Sequence, residues 1–241
     1  MQKGLVLTIP RNARRLETFL DANRRSGLEL VPYFGVEPHM FTRDELVAQG
    51  LIHENLNPRF RPGYIAHALS CRSIWIEAAQ AAGPTYVFED DAYLADDLPA
   101  KVDQATAGLS DWDIVLLGYN TDSILDILLS DEMRLMSKFS IKNPTPDQIQ
   151  AIIQQPNPRV FRLHQAFATC GYVISPRGAR ACLEACFPLR NVVVKVPALG
   201  RPLLTYTLDC TLNTVYRSLH AYAFMPPLVL TSNDPASSSI T

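Results

Sequence analysis

The chain has 241 residues, 47% of them hydrophobic and 19% charged, which is enough apolar material for one α/β domain with a substantial core. Its net charge of −2 offers no general attraction for nucleic acid. No apolar run reaches the roughly 18 residues that cross a bilayer, and the short apolar stretch near the start is too brief for a secretory signal. The five cysteines are odd in number and lack paired metal spacing. Cys182 and Cys186, four apart on a predicted helix, therefore read as small buried hydrophobes, and the compartment as reducing and cytoplasmic.

Residues 4–9 form an apolar run suited to a buried parallel strand, stopped by Pro10. Leu16, Phe19, Leu20 and Asn23 then keep helical spacing up to Gly27, and Arg11, Arg14, Arg15, Arg24 and Arg25 crowd this early helix. That basic face reads first as solvated surface. The alternatives are weak peripheral contact with anionic lipid headgroups, or steering of a phosphorylated ligand. A second strand covers residues 28–34. Thr42 and Glu45 fit a capping box for a helix through Ala48, and residues 55–62, spaced by proline, read as loop. The strongest predicted helix spans residues 63–82, with Ile65, Leu69, Ile76 and Ala79 on one side and Gly83 as its stop.

Next comes a β-rich run, Tyr86-Val87-Phe88, that delivers Glu89, Asp90 and Asp91 at its end. Sheets in α/β proteins present ligand-binding groups at the carboxyl ends of their strands. Three adjacent carboxylates repel one another, and a divalent cation relieves that repulsion, because Mg²⁺ and Mn²⁺ prefer oxygen ligands and bridge to substrate phosphates. Glu89 and Asp91, two apart, would share one face of a regular strand. The pattern points to a metal–nucleotide site; its plain competitor is a solvated acidic turn.

Residues 113–118 form another predicted central strand, ending in Tyr119-Asn120-Thr121-Asp122. Residues 123–158 are less regular, apart from a short helix opened by Thr145-Pro146. Residues 159–163 and 171–174 read as strands, and Ser175-Pro176 opens a helix through Cys186. Residues 191–202 read as loop and 206–219 as helix. Residues 232–241 read as a polar, mobile tail. Strands alternating with helices predict a single α/β, Rossmann-like domain over residues 1–231, with a mainly parallel sheet flanked by helices.

Helix, glycine turn, apolar strand and Glu-Asp-Asp together resemble glycosyltransferase family 25, which includes bacterial lipooligosaccharide galactosyltransferases and collagen galactosyltransferase domains. Residues 113–118 are similar to the family's Asp-x-x-Tyr-Leu-Gly, and residues 171–179 to its Gly-x-x-Ala-Tyr-x-Ile-Ser-x-x-Gly-Ala region. Tyr222, Pro226, Pro227, Leu228 and Val229 are similar to its closing Tyr-x-x-x-Pro-Pro-Leu-Val. Two segments depart from the pattern. The opening Asn-Leu-Asp-Arg is here Thr8-Ile9-Pro10-Arg11, and Gly-Glu-x-Gly-Cys-x-x-Ser-His is here residues 63–71, with Tyr64 for glutamate and with His67 and Cys71 in the cysteine and histidine positions.

The resemblance implies a GT-A-like fold and an inverting, Mn²⁺- or Mg²⁺-dependent transfer of galactose or glucose from a UDP-sugar to a saccharide or glycolipid acceptor. By position, Thr8, Ile9, Arg11 and Arg15 would bind the nucleotide, and Ser70 or His67 would sit near the donor. Asp91 would be a direct metal ligand, with Glu89 beside it or on the donor ribose, while Asp90 braces the site. Asp209 would be the general base and Asp122 its reserve; His220 or Asp234 could complete the metal shell. Two other functions use the same acidic strand end: a Mg²⁺-dependent phosphohydrolase or nucleotidyltransferase, and a non-catalytic protein that binds sugar nucleotides. The first lacks a glycine-rich phosphate loop; the second draws on the altered residues 63–71.

Overall fold

The computed structural model describes residues 1–167, 169–197 and 200–233. The chain opens with β1 (Lys3–Thr8), α1 (Ala13–Ala22), β2 (Glu29–Phe34), α2 (Arg43–Ala48), α3 (Pro62–Gln80), β3 (Thr85–Glu89), β4 (Tyr93–Leu94) and α4 (Leu98–Thr106). It continues with β5 (Ile114–Leu116), β6 (Ile124–Leu128), β7 (Arg134–Lys138), α5 (Pro146–Ile153), β8 (Arg159–Ala166), β9 (Gly171–Ile174) and α6 (Pro176–Cys186). Last come β10 (Val193–Val196), β11 (Arg201–Leu204), α7 (Leu208–Leu212), β12 (Ala221–Met225) and β13 (Val229–Leu230).

Among the described residues the main sheet has nine strands, in the order β2-β1-β3-β9-β5-β12-β8-β6-β7. Strands β2, β1, β3, β5, β12 and β6 run one way, so most of the sheet shares a direction, as the alternation of elements predicts. Parallel pairing is confined to β2–β1–β3 and β5–β12, because β9 enters antiparallel between β3 and β5. Side chains alternate across the sheet with the strand period of two. Ile114 and Leu116 join the core under α3 and α6, and Val115 and Leu117 join the core under α1, α4 and α5. That is the mixed α/β, helix-flanked architecture expected from the sequence.

Local signals place the helix starts well. Thr42 accepts the Glu45 amide while Glu45 accepts the Thr42 amide at 2.7 Å, the reciprocal box that opens α2. Thr145 and Gln148 form the same box at α5, and the Ser175 hydroxyl accepts the Gly178 amide to cap α6. The first long helix ends five residues before Gly27, at Ala22, because Asn23 caps it. The Asn23 amide side chain donates to Phe19 O and Ala92 O, and its carbonyl accepts the Leu94 amide. The five early arginines consequently do not share a helix: Arg11 lies before α1, and Arg24 and Arg25 lie beyond it.

Three expectations change. Residues 123–158 contain the antiparallel hairpin β6–β7, and residues 191–202 are not loop but contribute to the hairpin β10–β11. The helix expected over residues 206–219 is helical only over Leu208–Leu212. Of the predicted mobile tail, residues 234–241 lie outside the described residues.

Candidate active site

The carboxyl ends of β1, β3 and β5 point to one edge of the sheet, where an open cleft of about 750 Å³ has formed. One wall comes from the end of β1 and the turn into α1. A second comes from the first turns of α3, and a third from β11 and residues 206–210. The floor is the acidic end of β3. Thr8, Ile9, Arg11, Arg15, Ser70, Glu89, Asp90, Asp91, Asp122 and Asp209 all line this cleft.

The three acids are handled differently, and strand geometry explains why. Glu89 has the same facing as Val87, toward α3, and the chain turns away after it. Its carboxylate accepts from Thr169 at 2.6 Å and lies 3.2 Å from His67 Nε2. Burial pushes the Glu89 carboxyl upward, but His67, the Thr169 hydroxyl and Arg15 together hold it below the ordinary value. Asp90 has the opposite facing, toward α1, and is fully buried. It accepts from the Thr8 hydroxyl at 2.6 Å and from Asn12 at 3.3 Å, and it is ion-paired with Arg15. Asp91 sits in the turn. Its Oδ1 is buried with no hydrogen-bond partner. Burial, then the Glu89 and Asp90 charges, raise its pKa to about 7 against the pull of Arg15.

Among the described residues no three His, Cys, Asp or Glu side chains converge as a ready-made metal site. The donor chemistry of Glu89 and Asp91 nevertheless suits a hard cation, which keeps several waters and takes phosphate oxygens when protein carboxylates are few. The unpartnered Asp91 oxygen is the atom such an ion would satisfy.

Across the cleft Asp209 occupies the first turn of α7. Its Oδ1 accepts from the Thr207 hydroxyl and from the Cys210 amide at 2.8 Å. Burial raises its pKa despite those two hydrogen bonds, the direction a general base requires. Asp122 lies exposed in the turn between β5 and β6. Ser70 lines the cleft, but its hydroxyl donates to Ala66 O and accepts the Val36 amide, each at 2.8 Å. It therefore ties α3 to the segment after β2, and the donor-binding role expected of it has little hydroxyl left to use. His220 is remote from the cleft, at the amino end of β12, where its amide donates to Asp113 and its ring lies 3.6 Å from Asp111; it is no part of a metal shell. Asp234 is outside the described residues.

Sequence reasoning missed Asn12 and Thr169, and it placed His67 near the donor without its contact to Glu89. A signal for His67 was present. Positions 67 and 71 are four apart on one helix and therefore adjacent in space, and Cys71 Sγ lies 3.7 Å from His67 Nε2. His67 in turn lies 3.2 Å from Glu89.

A mixed α/β fold with a polar cleft at the carboxyl edge of its sheet defines the broad class. The profile of glycosyltransferase family 25 (LPS biosynthesis protein) matches residues 13–196, and the chain belongs to that family. It is thus a glycosyltransferase of the lipopolysaccharide-biosynthesis kind, with a sugar donor and an acceptor as substrates. No curated protein matches it in sequence. Among solved structures it is similar to the inositol-1-phosphate CTP transferase from T. maritima, at 12% identity and a TM-score of 0.44, over 99% of this chain and 92% of that one. It is also similar to A197 from STIV, at 12% identity and a TM-score of 0.37, over 96% and 83% of the two chains. Both likenesses are distant and neither bears on function. No described helix is long and apolar enough to cross a membrane.

Proposed function

We propose that the chain is a metal-dependent inverting hexosyltransferase that moves galactose or glucose from a UDP-sugar to a saccharide acceptor. The observation that carries this reading is the buried, unpartnered Asp91 Oδ1 at the floor of the cleft, beside Glu89. Mg²⁺ or Mn²⁺ held there by Asp91 and Glu89 would supply charge neutralisation for the departing diphosphate. His67 and Thr169 keep Glu89 ionised and fixed. Asp90 ties the end of β3 to the end of β1 through Thr8 and to α1 through Arg15.

Asp209 takes the proton from the acceptor hydroxyl as its oxygen forms a bond to the anomeric carbon. The bond from that carbon to the diphosphate oxygen breaks, and its electron pair leaves with UDP. One displacement gives one inversion. The test is UDP release and product formation with Mn²⁺ across a panel of uridine and guanosine diphosphate sugars. Turnover of a uridine donor that disappears in Asp91→Ala, with the fold intact by circular dichroism, is the expected result. Undiminished turnover by that variant removes the metal assignment.

A further inference from the structure

Most cationic groups of the cleft are matched. Arg11 lies 3.6 Å from Glu37, Arg15 is paired with Asp90, and His67 with Glu89. Arg59 and Arg201 also line the cleft, yet among the described residues neither has a carboxylate partner or a side-chain hydrogen bond. They belong to different elements. Arg59 comes from the loop before α3, and Arg201 from the hairpin strand β11. Arg59 is held in place: its guanidinium carbon stands 4.2 Å over the Tyr206 ring, and Tyr64 packs edge-on against the same ring at 6.1 Å. A guanidinium held over a ring face keeps N–H groups available for an anion. Tyr206 is three residues from Asp209, and its hydroxyl feels both charges, with Asp209 raising its pKa and Arg59 lowering it.

We infer that Arg59 and Arg201 form an anion subsite for the acceptor, which is a saccharide bearing a phosphate or carboxylate near its reacting hydroxyl. A guanidinium fork takes either group in bidentate fashion, and a planar cation stacked beforehand loses little freedom on binding. The inference rests on the transferase reading above and sharpens it from a saccharide to an acidic one.

The test is calorimetric titration of the UDP- and Mn²⁺-saturated protein with glucose 6-phosphate, glucuronic acid and glucose at low salt. At least one charged sugar binds roughly ten-fold or more tighter than glucose, and comparing the two charged sugars tells phosphate from carboxylate. Arg59→Ala and Arg201→Ala each abolish that preference and leave UDP affinity unchanged; Arg59→Lys keeps part of it. Equal or undetectable binding of all three sugars overturns the inference. So does weakened UDP binding in both arginine variants, which would assign these cations to the donor. Failure of the transferase reading itself registers elsewhere, as absence of UDP release from any sugar donor.

Discussion

Asp91 titrates near 7 in the fold against 3.8 for an ordinary aspartate, because burial and its acidic neighbours disfavour the charged form. A carboxylate with a raised folded pKa costs nothing below about pH 4. Its penalty grows as pH rises from 3.8 toward 7 and is complete above that. In EDTA at pH 8, Asp91→Asn should therefore be more stable than the parent by on the order of 4 kcal/mol, with the gain vanishing near pH 4; urea denaturation at the two pH values reads this directly. Asp90 is a buried acceptor for the Thr8 hydroxyl, Asn12 and Arg15, so Asp90→Ala removes all three contacts and should cost about 3–5 kcal/mol, seen as a large fall in urea midpoint. In the base role proposed for it, Asp209 has to lose its proton, so kcat should rise with pH through a midpoint above the ordinary aspartate value. Asp209→Asn should lower kcat by roughly 10²–10⁴ and leave the donor KM nearly unchanged; steady-state kinetics across pH would show whether that rising limb belongs to Asp209.

At the level of elements, the strap β13 decides how the cleft is closed on its inner side. Gly118 and Gly171 lie directly beneath Val229: a Cβ at Gly118 would stand 1.9 Å from Val229 O, and one at Gly171 would meet the Val229 side chain at 2.7 Å. Gly118→Ala must displace the strap and with it Thr231 and Asn233, which line the cleft. A loss of about 3 kcal/mol is expected, together with weaker donor binding, measured by unfolding and by UDP titration. Elements with local chemical signatures were legible in the sequence: α2 through its Thr42–Glu45 box, α6 through Ser175-Pro176, and the end of β3 through its density of like charges. Those stabilised by partners far along the chain were not. The β10–β11 hairpin carries Pro202 in one strand and seats Val194 and Val196 against Phe167 and Cys210, a contact that no local period reveals. At the site, the presence of carboxylates was readable but their division of labour was not, since Thr169 reaches Glu89 across 80 positions.

For the molecule as a whole, a cation that binds the fold and not the unfolded chain must raise stability by mass action. At one hundred times its dissociation constant, Mn²⁺ should add about 2.7 kcal/mol, visible as a higher Tm that Asp91→Ala no longer shows. The same nine-stranded sheet governs how the protein comes into being. Because β9 is hydrogen-bonded to both β3 and β5, the strands on either side of it share no edge until residue 174 exists. During translation the nascent chain therefore emerges with the flank of β3 bare for more than eighty residues' worth of synthesis, a period in which an open strand recruits neighbours. Ribosomal pausing before residues 171–174 have cleared the exit tunnel lengthens that exposure, and pausing after they have cleared it does not.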